Sequence, residues 1–391
     1  MTAARRDARR HRRTVESLQQ PDAARPAGES ALLDVQDLRT YFRTPRGVVK
    51  AVDGVSFDLD RGKTIGIVGE SGSGKTVLSR SVMGLLPRST TFHPTGTVTY
   101  DGKNLLTLPQ KEMRDIWGEE VAMVFQDPMT SLNPVVKIGR QITEGLQHHL
   151  HMSKGDAKQA AIALLTSVGI PEPIRRLNQY PHELSGGMRQ RVTIAIALAC
   201  GPRLLMADEP TTALDVTVQA QILDLLQKQQ RERFMAMVLV THDLGVVAGR
   251  TDEIIVMYAG RVVEKAQTYD LFHDMKMPYT EALLKSIPRV TNKSHTRLQA
   301  IGGRPPDLVN LPQGCKFAAR CPYVQDKCRE EEPPLMPAAD PGHEFRCWFP
   351  VGTPEGMEAL AKNVREGKVP GQDNPAVDAV PPDLLEALEN D

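Results

Sequence analysis

The chain has 391 residues, with 48 Lys and Arg against 48 Asp and Glu, so its formal net charge is zero. That length exceeds one typical domain and predicts one large α/β unit with additions, while the lack of any apolar run of about eighteen residues excludes a membrane span within it. The neutral total hides two charged ends: residues 1–31 carry seven Arg against four acids, net +3, and residues 351–391 carry nine acids against three bases, net −6.

The Arg-rich arm 1–31 has no apolar segment behind its arginines, so it is expected to be a disordered tail and not a secretory signal. Residues 32–60 alternate as strands do, Leu33 and Val35 and then Val48 and Ala51 to Phe57, around a turn at Pro45-Arg46-Gly47. An antiparallel patch follows from this, with Tyr41 and Phe42 on it. Thr64 to Val68 is short and apolar enough for a buried strand, and Val77 to Leu86 is helix-compatible. Between them Gly69-Glu70-Ser71-Gly72-Ser73-Gly74-Lys75-Thr76 matches G-x-x-x-x-G-K-[ST] at every fixed position, in the strand, loop, helix context that this phosphate-binding pattern requires.

The residue types follow from the chemistry. Small residues let consecutive backbone N–H groups point inward as an anion nest, and the helix behind presents its positive end to the same phosphates. Gly69, Gly72 and Gly74 tolerate the backbone angles and the close approach. Lys75 is expected to reach the β- and γ-phosphates as a point charge, and the Thr76 hydroxyl to ligate Mg2+. Beside such a cradle either Tyr41 or Phe42 could stack on an adenine.

Further along, Gly96 to Asn104 reads as a strand ending in an Asp-Gly turn, and Val121 to Phe125 as a buried strand running into Gln126, placed to hold Mg2+ or a water. Residues 135–180 turn helical in period. The histidines His148, His149 and His151 within them have no carboxylate or cysteine nearby and read as an exposed helix face. Leu184-Ser185-Gly186-Gly187-Met188-Arg189-Gln190 puts a glycine pair directly before the helical run Val192 to Ala199, another anion-binding helix start. Leu204 to Pro210 is an apolar strand ending in two acids, Asp208 for the Mg2+ shell and Glu209 where a base orients an attacking water. A helix around Val218 to Leu226 follows, then a core strand Met237 to Thr241 closed by His242, which could hydrogen-bond a γ-phosphate oxygen. Ile254 to Met257 and Arg261 to Val263 form a final hairpin around Ala259-Gly260.

Taken together these segments resemble the nucleotide-binding subunit of ATP-binding cassette transporters, over residues 32 to about 285. The matching residues are the Walker A loop Gly69 to Thr76, the Q-loop Gln126, the signature Leu184 to Gln190, Walker B Leu204 to Asp208 with the catalytic Glu209, the D-loop Ala213-Leu214-Asp215 and the switch His242. The resemblance implies a P-loop NTPase fold of the RecA-like α/β class, with an antiparallel β patch and a helical insert at about 127–201. It implies ATP and Mg2+ as cofactors, the Mg2+ held by Thr76, Gln126 and Asp208, with Gly69, Ser71, Gly72, Ser73, Gly74 and Lys75 around the phosphates. The adenine-stacking aromatic, by its spacing from Leu38, is Phe42. It further implies a head-to-tail dimer, in which Ser185, Gly186, Gly187 and Gln190 of one chain close over ATP held by the other.

Asp127 to Pro134 and Met277-Pro278-Tyr279-Thr280 resemble the oligopeptide, dipeptide and nickel importer branch, as does the region 286–350 with Gly314-Cys315, Arg320-Cys321-Pro322, Cys328 and Cys347. Peptide import is the substrate class expected. The implied partners are a second ATPase subunit of different sequence, two transmembrane permease subunits and an extracellular or periplasmic peptide-binding protein, with no nucleic acid, and the implied place is the cytoplasmic face of the cell membrane. By count alone four bunched cysteines suit an iron-sulfur cluster or zinc; the branch resemblance implies a 4Fe-4S cluster on Cys315, Cys321, Cys328 and Cys347, set apart from the phosphate loop. Cys200 reads as core, and residues 351–391 as an acidic flexible tail. Competing readings are import of nickel or another small solute, a soluble cassette protein acting on ribosomes or DNA, an exporter subunit, and a regulatory binder without turnover. The single cassette with no long insertion, the cysteine region, and the presence of both Glu209 and His242 speak against the last three.

Overall fold

The computed structural model describes residues 31–86, 91–212, 214–287 and 301–369. The arm up to residue 30, Ala213 of the D-loop triplet and the acidic end from residue 370 lie outside them. β1 (Leu33–Thr44) and β2 (Gly47–Leu59) pair antiparallel around the expected turn, while β3 (Thr64–Val68) enters a second sheet. β4 (Thr91–Tyr100) and β5 (Lys103–Asn104) complete the first sheet in the order β2-β1-β4-β5.

The second sheet adds β6 (Val121–Val124), β7 (Leu204–Asp208), β8 (Ala236–Thr241), β9 (Glu253–Tyr258), β10 (Arg261–Gln267), β11 (Met336–Pro337) and β12 (Glu344–Phe345), in the order β11-β12-β10-β9-β3-β8-β7-β6. From β9 to β6 the pairing is parallel. Parallel strands covered on both faces are expected to be apolar between their ends, and these are, with polar residues such as Thr64, Asp208, Thr241 and Glu253 only at the ends. Leu205, Ala207, Met237 and Leu239 face one core, shared with the helical insert through Ile138, Ile142, Leu146 and Val192. Leu204, Met206, Val238 and Val240 face the other, shared with the antiparallel sheet and with Leu78 and Val82 of the helix Lys75–Val82.

Four expectations are corrected. The signature helix spans Gly186–Leu198, with Ser185 as its N-cap accepting from the Met188 N–H, so the glycine pair forms its first turn and does not precede it. The hairpin β9–β10 is not the last strand element: β12 pairs with β10, so the cysteine-bearing region extends the cassette's own sheet. The acidic tail is partly folded. Thr353 caps a helix Pro354–Arg365 whose Leu360 and Ala361 are buried, and the Asn363 amide donates to the carbonyls of Pro322 and Val324 at 2.8 and 2.9 Å. Separately, the helix after the phosphate loop stops at Val82, where Gly84 takes φ +65° in a left-handed end, so it does not reach Leu86.

Glu253, at the start of β9, lies 3.4 Å from Lys265 across the hairpin, yet burial outweighs that cation and pushes its carboxyl up to about 7. A carboxyl raised above its unfolded value of about 4.3 contributes stability in full below that value and loses it as pH climbs through the folded one. Glu253→Gln is therefore expected to gain melting temperature over the wild type progressively between about pH 5 and about pH 8. A gap that stays flat or narrows over that range would show that burial does not govern this residue.

Candidate functional site

The parallel strands end on one edge, and the singled-out residues follow them: Gly69 directly after β3, Glu209 after β7, His242 after β8 and Gln126 two residues after β6. The loop after β3 leaves no room for side chains at two glycines. Gly69 has φ +153° and Gly74 φ +105°, and a Cβ would lie 2.2 Å from the Met257 carbonyl oxygen at the first and 2.2 Å from that of Ala51 at the second. Ser71 and Gly72 are exposed, and the buried Ser73 hydroxyl has no hydrogen-bond partner.

Lys75, its side chain 3% exposed, donates from Nζ to the carbonyls of Gly69 (2.7 Å) and Glu70 (3.0 Å) and lies 3.9 Å from Glu209 Oε1. Burial holds its pKa below the ordinary value against the pull of Glu209 and Asp208. The Thr76 hydroxyl donates to Asp208 Oδ1 at 3.1 Å, and Asp208 Oδ2 is buried without a partner. Burial raises the Asp208 pKa, with the Thr76 hydrogen bond opposing it. A hydroxyl beside a carboxylate with one oxygen unspent is a hard-oxygen set that fits Mg2+. Gln126 donates from Nε2 to Glu209 Oε2 at 3.0 Å, so it is gathered to the acid beyond the pair.

Glu209 sits at φ +45°, a left-handed conformation that costs a non-glycine residue about 1–3 kcal/mol. Its Oε2 also accepts from Thr212 Oγ1 at 2.9 Å and lies 3.5 Å from His242 Nδ1. The His242 contact is the main cause that lowers the Glu209 pKa, against burial, and it raises that of His242. Three groups from three different loops thus orient one ionised carboxylate.

Tyr41 commits its hydroxyl to Asp53, which also accepts from Arg39 and Arg261, while Phe42 stands half-buried on the same strand with no such tether. In the signature, Gly187 faces Val218, where a Cβ would meet a methyl at 2.9 Å, Gly186 lies toward Leu214 of the D-loop, and Gln190 is buried. The Ser185 hydroxyl accepts within its own helix. His148 and His151 are exposed, and burial pushes Cys200 up to about 11.

Cys315, Cys321, Cys328 and Cys347 line one small cavity with Met277, Pro278 and Phe349. Burial pushes Cys315 up to about 11 and raises the other three thiols as well. Among the described residues, the ligand atoms that gather in threes within 4.8 Å are those of Asp274, Asp340 and His343, so no three thiols come that close. The region is not remote from the phosphate loop, as its place in the sequence suggested: Arg320, next to Cys321, binds the Glu70 carboxylate at 2.6 and 2.8 Å. No local pattern announces that contact.

Comparison with known proteins agrees with this geometry. A family model described as "ABC transporter" matches residues 52–212, and one described as "Oligopeptide/dipeptide transporter, C-terminal region" matches residues 263–328. The chain is 49% identical to the oligopeptide transport ATP-binding protein OppD of Bacillus subtilis, over 85% of this chain and 94% of that one. It is 47% identical to OppD of Salmonella typhimurium, over 86% and 98%, and 49% identical to the dipeptide transport ATP-binding protein DppD of Bacillus subtilis, over 81% and 94%. Among solved structures it resembles the dimeric ATP-binding cassette MJ0796 bound to ADP and inorganic phosphate, with a TM-score of 0.55 at 28% identity, over 60% of this chain and 98% of that one.

Gly74→Ala is expected to lower ATP binding by at least about tenfold, because relief of the clash displaces the loop that Lys75 depends on. Equilibrium dialysis of the full chain with ATP measures this; unchanged affinity would mean that the loop adapts.

Proposed function

The chain belongs to the ATP-binding cassette family, in the branch of oligopeptide and dipeptide transport ATP-binding proteins, and on that premise we propose that it is the ATP-hydrolysing subunit of a membrane peptide importer. The observation that carries the reading is the convergence of Lys75, Thr76, Asp208, Glu209 and His242 on one sheet edge. The loop N–H groups and Lys75 take the phosphates, Phe42 stacks on the adenine, and Glu209, ionised and oriented by Gln126, Thr212 and His242, accepts a proton from the water that attacks the γ-phosphorus. ADP and phosphate leave. Thr76 and Asp208, with Gln126, would hold Mg2+, which would supply charge neutralisation on the phosphate oxygens.

The signature residues Ser185, Gly186, Gly187 and Gln190 act on ATP held by a second cassette in a head-to-tail dimer. The dimeric cassettes among its structural relatives support this. The second cassette is a different ATPase chain, and the pair works on two permease subunits supplied by an extracellular or periplasmic peptide-binding protein. No helix among the described residues is long and apolar enough to cross a membrane, and the subunit sits on the cytoplasmic face through its permeases. The cassette spans 32–285, with the helical insert at about 127–201, and the cysteine region 286–350 holds a 4Fe-4S cluster on Cys315, Cys321, Cys328 and Cys347. The cavity that the four cysteines share supports a common ligand. Such a cluster supplies electron transfer or a rigid cross-link among its ligands.

Glu209→Gln is expected to retain ATP binding and to lower hydrolysis by about 10²–10⁴-fold, and to stop labelled peptide uptake in cells whose only copy carries it, with nickel uptake unchanged. Continued peptide entry at the normal rate would move nickel or another solute ahead. For the cluster, anaerobically purified protein is expected to contain iron and acid-labile sulfide in equal amounts, both lost in a Cys321→Ser/Cys347→Ser double variant; absence of both from the wild type refutes the assignment.

A further inference from the structure

Glu70 occupies a position where the phosphate-loop pattern sets no residue, yet two segments far along the chain close on it. Arg320 takes its carboxylate as a bidentate pair, Nη1 to Oε2 at 2.6 Å and Nη2 to Oε1 at 2.8 Å. The Tyr279 hydroxyl accepts the Glu70 backbone N–H at 2.8 Å. Arg320, its side chain 3% exposed, donates further to the Tyr258 hydroxyl and to the carbonyls of Gly302 and Ile301. All five of its N–H donors are thereby spent on one geometry. Tyr258, Tyr279 and Phe317 pack tilted or edge-on against one another, with ring centroids 4.6–5.3 Å apart, and Arg320 lies over the rings of Tyr258 and Phe317.

Tyr279 belongs to Met277-Pro278-Tyr279-Thr280 and Arg320 to Arg320-Cys321-Pro322, two stretches that the cassette chemistry leaves unused. Arg320 ends the turn Ala318–Arg320, between Cys315 and Cys321, and the turn's Ala318 lines the cysteine cavity with both cysteines. On the other side, the Glu70 carbonyl accepts from Lys75 Nζ at 3.0 Å and from the Ser73 N–H at 3.2 Å. The peptide plane of Glu70 therefore aims the lysine. A free carboxylate at this point in the loop would also repel a triphosphate, and Arg320 neutralises it.

We propose that Arg320 and Tyr279 form a socket for Glu70, in which Arg320 chiefly cancels the carboxylate charge beside the phosphates and Tyr279 holds the loop backbone in place for ATP, which makes the cysteine-bearing region a working part of the ATP site. Both are positioning residues that act through Glu70 and Lys75. The inference rests on the ATPase reading above.

The test is ATP affinity of the full-length chain by equilibrium dialysis, with melting temperatures measured in parallel. Arg320→Ala is expected to weaken ATP binding by about tenfold, the size of losing one charge-assisted hydrogen-bonded partner. Adding Glu70→Gln to Arg320→Ala is expected to recover most of that loss, because the repelling charge is gone; a purely structural role predicts no recovery. Tyr279→Phe, which removes one acceptor and little volume, is expected to weaken binding by about threefold and keeps the socket testable where Arg320→Ala fails to fold. Arg320→Ala within twofold of wild type, a double variant no better than the single one, or an unaffected Tyr279→Phe each overturns the socket. Wild-type protein that binds ATP no better than Lys75→Ala refutes the ATPase reading instead.

Discussion

A lysine ammonium taken out of water needs acceptors on every side, and the way this chain supplies them to Lys75 organises the rest of the site. Two acceptors are carbonyls of its own loop, Gly69 and Glu70. The nearest counter-charge is Glu209, 3.9 Å away at the end of β7. Burial pushes the Lys75 pKa down and that of the neighbouring Asp208 up, so both groups bear a desolvation cost in the folded chain. A triphosphate with its divalent cation offsets both at once, offering negative charge to the lysine and positive charge to the aspartate. The charge pattern is thus one that the magnesium complex of the proposed nucleotide would relieve on both sides.

This arrangement depends on strand order. Because β3 lies between β8 and β9, with β7 and β6 beyond, the loops that carry Lys75, His242, Glu209 and Gln126 emerge side by side from one sheet edge. Each strand is apolar on both faces, so none can slip by one residue without exchanging the sets that face the two cores. A one-residue slip of β7 would also exchange Asp208 and Glu209. The packing that stabilises the cassette is thus the same packing that sets the order of the two acids, one inward beside Thr76 and one outward at φ +45° toward Gln126, Thr212 and His242.

The parts legible in the sequence share a physical reason: each is a short apolar run ended by a residue that such a run does not usually carry. Gly69, Gln126, Asp208 and His242 all stand out in that way, and the structure places all four at strand ends. The signature helix was legible, but its start was misplaced, because Gly186 and Gly187 have poor helix propensity and only the Ser185 cap and the close approach to Val218 show why they are helical. The helix Pro354–Arg365 was hidden by the net charge of the tail. Its cap Thr353, the proline at its first position, and Leu360, Ala361 and Val364 at helical spacing carry the signal that composition overrode. The pair Glu70–Arg320 had no signal at all, since 250 residues separate its members and neither belongs to a period.

Two regions that lie outside the parallel sheet reach the proposed site by one side chain each, and they reach opposite ends of it. The helical insert begins directly after Gln126, whose amide bonds Glu209, so a shift of the insert is felt at the proposed base. The cysteine-bearing region ends its turn at Arg320, whose guanidinium bonds Glu70, so a shift there is felt at the phosphate loop. The insert contact is a single hydrogen bond from the exposed Gln126, which costs little to break. The Arg320 contact is bidentate, largely buried and backed by three aromatic rings, and breaking it would strand a buried charge. The first contact is therefore the cheaper of the two to break, and the end of the site at the phosphate loop is the more firmly held.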